Sequence, residues 1–331
     1  MPGAISMILS RRNLIAAGLT LPALARAQPA YPNRPIRLVV PFAPGGPSDA
    51  LARTFAERLS AILGQPMVVE NRSGAGSTVG SDVVAKAPAD GYTILFNNLS
   101  QATNPSLFAR LPFDPLADFA PVALLAESPI VLLGAPNLPV ADLRGFLALI
   151  RDNPGRYDYG SAGNGTAAHL AVAKLLAAAG LSMNHIPYRG VAPATNDLMA
   201  GMIALVADTA TTGLGQARGG TLKALAVTAS TRLPQAPEIP TVAESGFPGL
   251  ADYTMTSWNL LLAPARTPNA VLARLRDAVR EAKADPAFRA RLEALGNTVM
   301  ADAEPAAMFA FLVEEQARWG QVLRAAGIRP D

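Results

Sequence analysis

The 331-residue sequence has no cysteine and only two histidines, His169 and His185. The first absence removes disulfides, thiolate metal sites and thiol nucleophiles. The two histidines lack any H-x-x-x-H or H-E-x-x-H spacing, so no metal centre is expected. Charge is scarce as well, at 16% of residues, and the formal net charge of +3 resides in the first 27 residues. Those hold Arg11, Arg12 and Arg26 and no acid, so subtracting three from the 28 basic residues leaves 25 against 25 acidic. A neutral remainder without a basic tract argues against nucleic-acid or membrane-surface binding. After Ile36 no apolar run reaches spanning length, so no stable membrane insertion is expected. Half of the residues are hydrophobic, which describes a globular chain with room for two domains.

What is present begins with a leader. Ser10-Arg11-Arg12-Asn13-Leu14-Ile15 resembles a twin-arginine signal, Leu14 to Leu24 is a short apolar run, and Ala25-Arg26-Ala27 is an A-x-A cleavage site. The order predicts export to the periplasm with removal of residues 1–27 after Ala27.

The mature chain is organised around Ile36 to Asp49. Ile36, Leu38, Val39 and Val40 read as a buried strand, Pro41 to Pro47 as a Gly/Pro loop, and Ser48 and Asp49 as caps of a helix through Leu59. Strand, Gly-rich loop and capped helix set free backbone N–H groups and a positive dipole end at a strand terminus, which suits a carboxylate or phosphate. The design recurs at Tyr157 to Ala179. There Ser161-Ala162-Gly163-Asn164-Gly165 follows a strand, and Thr166 caps a helix over Ala167–Ala179. Two such units facing each other would bring two helix N-termini to one cleft. Alternation of strands and helices along the rest predicts an α/β fold with a parallel sheet of βαβ units. Phe119–Glu127 and Pro129–Leu133 are expected as two separate strands, and Asn269–Ala284, Pro286–Leu295 and Pro305–Ala326 as closing helices.

Catalytic readings are weaker. Ser161, His169 and Asp208 could form a triad, but the nucleophile elbow G-x-S-x-G is missing its first glycine before Ser161. Gly163 to Ala168 satisfies G-x-G-x-x-A, yet the strand end at His185 to Arg189 lacks the ribose-binding acid. A hydrolytic or NAD(P)-dependent enzyme using the Gly163–Gly165 loop therefore stands as the alternative to a binding protein without a cofactor. No carboxylate pair suggests glycosidase chemistry.

With those stretches laid out, the chain resembles the Bug family, the extracytoplasmic solute receptors of tripartite tricarboxylate transporters. The resemblance runs from Tyr31 to about Trp319 and rests on YPNRPIRLVVPFAPGGPSD (31–49), LGQPMVVENRSGAGSTVG (63–80), ADGYTILF (89–96), FDPLADFAPVALL (113–125), GSAGNGTAAHL (160–170), HIPYRG (185–190) and EIPTVAESGFPG (238–249). Ser73 stands where family members often have proline. The resemblance implies a two-domain periplasmic binding protein of the type II, Venus-flytrap kind, each domain a β-sheet flanked by helices. Domain 1 would comprise 28–128 and 251–331 and domain 2 would comprise 129–250, with crossovers near Glu127–Ile130 and Leu250–Ser257. It implies a monomer without enzymatic activity, a small carboxylate ligand, and a transient partner in a two-subunit integral membrane permease.

Carried over by residue, Phe42, Ala43, Pro44, Gly45, Gly46 and Ser48 would cradle one carboxylate, with Asp49 ordering the loop. Ser161, Gly163, Asn164, Gly165 and Thr166 would hold the opposite end. Asn98, Ser100, Gln101, Asp208 and Thr209 would line the pocket at strand ends. Neither Gly-rich loop contains a basic residue, so binding would rely on backbone amides, hydroxyls and water. A β-branched residue at Gly46 or Gly165 is expected to abolish binding and to leave the fold nearly as stable.

Overall fold

Aliphatic, β-branched runs alternate with 3.6-periodic segments along the chain, and the structure follows them. The computed structural model describes residues 31–325; the leader at 1–27 lies outside the described residues. In chain order the elements are β1 (Ile36–Val40), α1 (Pro47–Leu63), β2 (Met67–Asn71), α2 (Thr78–Ala85), β3 (Thr93–Asn98), α3 (Ser100–Thr103), β4 (Phe119–Gly134), α4 (Leu143–Asp152), β5 (Asp158–Ser161) and α5 (Ala167–Ala179). They continue with β6 (Asn184–Pro187), α6 (Val191–Met199), β7 (Leu205–Thr209), α7 (Ala210–Arg218), β8 (Lys223–Val227), β9 (Thr256–Pro264), α8 (Asn269–Ala284), α9 (Pro286–Ala294), β10 (Thr298–Val299) and α10 (Pro305–Ala325).

The strands among the described residues join one mixed sheet, ordered β2-β1-β3-β9-β4-β7-β5-β6, with β10 and β8 also paired to β4. The expectation of a parallel sheet holds only toward its edges, where β1 runs parallel to β2 and β3, and β5 parallel to β6 and β7. The centre is antiparallel, because β9 lies between β3 and β4 and opposes both. A strand that arrives from far along the chain is not bound by the βαβ crossover rule, so its direction is free.

The two strands expected around Ser128 are one, β4, which continues through Pro129. Proline interrupts the ladder only where its missing N–H is needed, and here the neighbours change: β4 pairs with β9 from Phe119 to Pro129, and with β7 and β8 from Ile130 or Val131 to Gly134. Ile130 N–H donates to Thr228 Oγ1 at 2.8 Å, and Thr228 N–H donates back to the Ile130 carbonyl at 2.8 Å. Ser128, Thr211 and Asn297 form a buried polar link beside this point.

The sheet thus has two halves that share β4. In the first, Ile36, Leu38 and Val40 pack with Leu51, Phe55 and Leu59, one i, i+4, i+8 stripe of α1, and with Leu275 and Val279 of α8. In the second, α5 buries Leu170, Val172, Leu175 and Leu176 against the strands. Near-continuous burial along β1 and β7 leaves the loops at their C-terminal ends to form the site.

Candidate ligand-binding cleft

At the end of β1, Gly46 is the N-cap of α1 with extended backbone (φ −85°, ψ 175°), and Pro47 occupies the first helical position. Ser48 and Asp49 were expected to cap, but both lie inside the helix. The first backbone N–H to reach back is that of Ala50, to the Gly46 carbonyl at 3.0 Å, so the N–H groups of Ser48 and Asp49 have no intrahelical acceptor. Asp49 instead folds under the loop, accepting from Gly45 N–H at 3.0 Å, from Asn71 Nδ2 at 2.9 Å and from Arg53. Burial raises its pKa, and the bonds from Arg53, Gly45 and Asn71 outweigh that and hold the carboxyl below its ordinary value.

At the end of β5 the repeated design is braced differently. Thr166 caps α5, accepting from His169 N–H at 3.4 Å and donating to the Gly163 carbonyl at 2.8 Å. Gly165 N–H donates to His169 Nδ1 at 3.0 Å, which leaves the proton of the neutral ring on Nε2. Ser161 Oγ lies 2.6 Å from His185 Nε2, and the rings of His169 and His185 stack with centroids 4.0 Å apart. Burial pushes the His169 pKa down to about 4; burial together with neighbouring His169 pushes that of His185 down to about 3. Both rings are therefore neutral at pH 7, where their nitrogens can accept as well as donate.

The triad of Ser161, His169 and Asp208 is not assembled. Ser161 pairs with His185, His169 with Gly165, and Asp208 with Thr212. Among the described residues no group of three or more His, Asp or Glu side chains could hold a metal.

Between the two units lies a cleft enclosing about 550 Å³ of space outside atoms, part of it open to solvent. Four helices present their N-terminal residues to it: α1 through Gly46, Pro47 and Ser48, α5 through Thr166, Ala167 and Ala168, α6 through Gly190 and Val191, and α7 through Thr209 and Thr211. Ala167 and Ala168 precede the first intrahelical bond of α5, from Leu170 N–H to the Thr166 carbonyl. Leu51, Ala162, Asn98, Ser257 and Asn259 complete the wall with Phe42, Ala43 and Asp208. No lining residue is Lys, Arg or His, and Asp208 is the one ionisable side chain.

Of the expected residues, Phe42, Ala43, Gly46, Ser48, Asn98, Thr166, Asp208 and Thr209 line this cleft. Gly163 and Asn164 line a second pocket that shares Phe42 and Ala162 with the first. The others do not line the cleft. Pro44 and Gly45 are exposed at the tip of their loop, and Asp49 lies beneath it. Ser100 is fully buried, and Gln101 is engaged by Asn97 and the Pro115 carbonyl. Ser161 and Gly165 are buried, Ser161 Oγ engaged by Gly163 and His185, and Gly165 by His169 and Thr103. Gly165 also corrects the expectation of a harmless substitution: its φ is +71°, and a Cβ there would lie 1.8 Å from Leu107 Cδ1.

Sequence reasoning missed Ala167 and Ala168, although the helix-start rule that identified Thr166 also locates them. It missed α7, because Thr211-Thr212-Gly213-Leu214-Gly215 reads as a loop. Ser257 and Asn259 lie two apart on β9, so they share a face that period-two reading could have offered.

The two halves of the sheet meet at the cleft. Thr103 Oγ1 donates to the Gly165 carbonyl at 2.7 Å. A Cβ on Gly190 would fall 2.9 Å from that of Ala43, and one on Gly76 would fall 2.7 Å from the Asn164 carbonyl.

Residues 51–328 match the model of the tripartite tricarboxylate transporter family receptor. The chain belongs to that family. It is 35% identical over 318 residues to the protein BugT of Bordetella pertussis, covering 96% of this chain and 95% of BugT. The structure of the periplasmic binding protein BugD superposes with a TM-score of 0.86 at 35% identity, covering 91% of this chain and 100% of BugD. Rpa4515 of R. palustris, whose structure holds adipate, superposes with a TM-score of 0.86 at 34% identity and the same coverage. These matches establish the α/β fold of the Bug periplasmic binding proteins for this member of the receptor family. Among its described residues no helix is long and apolar enough to cross a membrane.

Proposed function

We propose that this protein is an extracytoplasmic solute receptor that binds a small carboxylate in the cleft and delivers it to a two-subunit permease. The observation that carries the reading is a cleft lined by four helix N-termini and by no basic side chain. Oriented backbone N–H groups stabilise a carboxylate without a counter-charge, so the ligand is released by opening rather than by breaking an ion pair. The adipate held by Rpa4515 supports the same ligand class.

Residues 28–128 with 251–331 form one domain in this proposal, and 129–250 the other, hinged at Pro129–Ile130 and along 250–256. A ligand that touches both favours closure by the difference between its affinities for the closed and open forms. The contacts of Thr103 with Gly165 and of Ala43 with Gly190 belong to the closed arrangement. The protein acts as a monomer in the periplasm after removal of residues 1–27, and it performs no chemistry on its ligand.

The test is thermal unfolding of the chain from Gln28, refolded free of host ligand, with mono-, di- and aromatic carboxylates, NAD and NADP. A ligand at 100 times its Kd adds roughly 2.7 kcal/mol. Stabilisation by carboxylates is expected. Stabilisation by a dinucleotide alone, or by no carboxylate, overturns the reading.

A further inference from the structure

Most polar side chains around the cleft are already engaged. Asn98 donates to Ser48 Oγ at 3.1 Å and accepts from Ser100 N–H at 3.0 Å, and Asn259 donates to the Ala126 carbonyl at 3.3 Å. Thr166 is bonded within its own loop. One edge differs. At the end of β7, Asp208 is 1% exposed; its Oδ2 accepts from Thr212 Oγ1 at 2.6 Å, but its Oδ1 has no partner. The adjacent Thr209 Oγ1 is unpartnered too, and both residues line the cleft.

A buried acceptor without a donor is costly to keep, and an acid is an odd neighbour for an anion. A second carboxylate on the ligand would meet repulsion here, or would need Asp208 to take up a proton. A hydroxyl or ammonium would satisfy Oδ1 directly. We propose that Asp208 is a specificity-determining residue, its Oδ1 accepting a hydrogen bond from a hydroxyl or ammonium group on the ligand. The cleft then prefers carboxylates substituted with such a donor over unsubstituted ones of the same length. This rests on the receptor reading, with the carboxylate itself held at the helix N-termini.

Burial pushes the Asp208 pKa up to about 7, against the opposing effects of Thr212 and the backbone at Thr209. Titratable or charged residues on the elements packed against β7 are Glu127 on β4, Asp158 and Tyr159 on β5, His169 and Lys174 on α5, Asp197 on α6 and Arg218 on α7. None of them contributes to that shift. The carboxyl is therefore poised to lose its proton when an ammonium ligand binds.

The experiment is calorimetric titration of the mature chain with matched probes that differ only at C2: succinate, malate and aspartate, then glutarate, 2-hydroxyglutarate and glutamate. The hydroxy or amino member of a series is expected to bind at least tenfold tighter than the unsubstituted acid, consistent with one hydrogen bond to a charged or poised acceptor. Asp208→Ala should bring the members within about twofold of one another. Asp208→Asn keeps a carbonyl acceptor, so it should retain the hydroxyl preference and lose the ammonium preference. Both variants are expected to fold, since the half-buried Thr212 can turn to solvent; unfolding curves of each check this. Equal affinities in the wild type, or a preference that survives Asp208→Ala, overturn the proposal while the receptor reading stands. If no carboxylate of either series or of the wider panel binds, the receptor reading fails and this proposal with it.

Discussion

The two strand–loop–helix units at the ends of β1 and β5 share a sequence design and differ in what their loops do. In the first, the cap is a glycine without a side-chain bond, proline opens the helix, and one carboxylate, Asp49, holds the loop from beneath. The Ser48 and Asp49 N–H groups of that helix are left without an intrahelical acceptor. In the second, the N–H of Gly165 is taken by His169, and Ser161 is tied to His185 and Gly163. There the helix start at Thr166–Ala168 reaches the cleft, joined from the glycine loop by Ala162 alone. A Gly-rich turn before a helix identifies a possible anion cradle, but the side chains behind it decide which amides remain available.

The largest expected effect separates the units by acid. His169 and His185 have folded pKa values near 4 and 3, below the unfolded 6.5, so the unfolded state binds more protons over that interval. Their contribution to stability is complete above about pH 6.5 and is lost as pH falls through 4 and 3, by several kcal/mol in all. Asp49 has a lowered pKa, so its contribution persists until the pH falls below about 3.8. Asp208 works the other way: with a folded pKa of about 7 it adds stability as pH falls from 7 towards 3.8. The difference between wild type and a His169→Gln/His185→Gln variant isolates the histidines. Urea titrations at pH 7 and pH 4 should show the wild type losing several kcal/mol more than the variant. Equal losses would remove the distinction between the units.

Next in size are the glycines. Gly165→Val forces a side chain onto Leu107 at a positive φ, and is expected to destabilise the protein by about 3 kcal/mol or more. Gly46→Ala sits at φ −85° with its nearest neighbour, the Ala43 carbonyl, 3.7 Å away, so the change should stay within about 1 kcal/mol while carboxylate affinity falls at least tenfold. Melting curves with and without ligand give both numbers. A stable Gly165→Val that still binds would contradict the packing described for the second unit.

Smaller effects follow from the caps and braces. Thr166→Ala removes a side-chain cap and should lower stability by about 1 kcal/mol. Asp49→Ala leaves Gly45 N–H without its acceptor and Asn71 Nδ2 with the Phe42 carbonyl alone, and should lower stability by about 1–3 kcal/mol and loosen the first loop. Hydrogen exchange at residues 42–46 reads that loosening. Equal protection in the variant would show that the loop is held by other contacts.

Much of the fold was legible in sequence. The helix bounds at Ala167–Ala179 and Asn269–Ala284 match those expected, because apolar periodicity, a threonine cap and glycine after the first of them are local signals. The antiparallel centre was not legible, since β9 joins β3 and β4 from more than a hundred residues away. Nor was the continuity of β4 through Pro129, where a residue that usually ends a strand coincides with a change of neighbours. At the site, Gly46, Ser48, Thr166 and Asp208 could be named from strand-end and cap positions. Gly190 could not, because nothing within a few residues of it signals a cleft, and Ser257 and Asn259 offered only their shared face of β9.

By itself the sequence determined the receptor family, most of the order of strands and helices apart from α7 and the single β4, and the absence of a metal-ligand pattern, because each rests on residue type and short-range spacing. The tertiary structure decided which part of each loop faces the cleft, that four helix N-termini share it, and that Asp208 is left with an open acceptor. Those outcomes depend on pairings such as Gly165 with His169 and Asp208 with Thr212 inside a packed interior. A hydrogen-bonding group has only a few partners to give, and folding determines which of them are already taken.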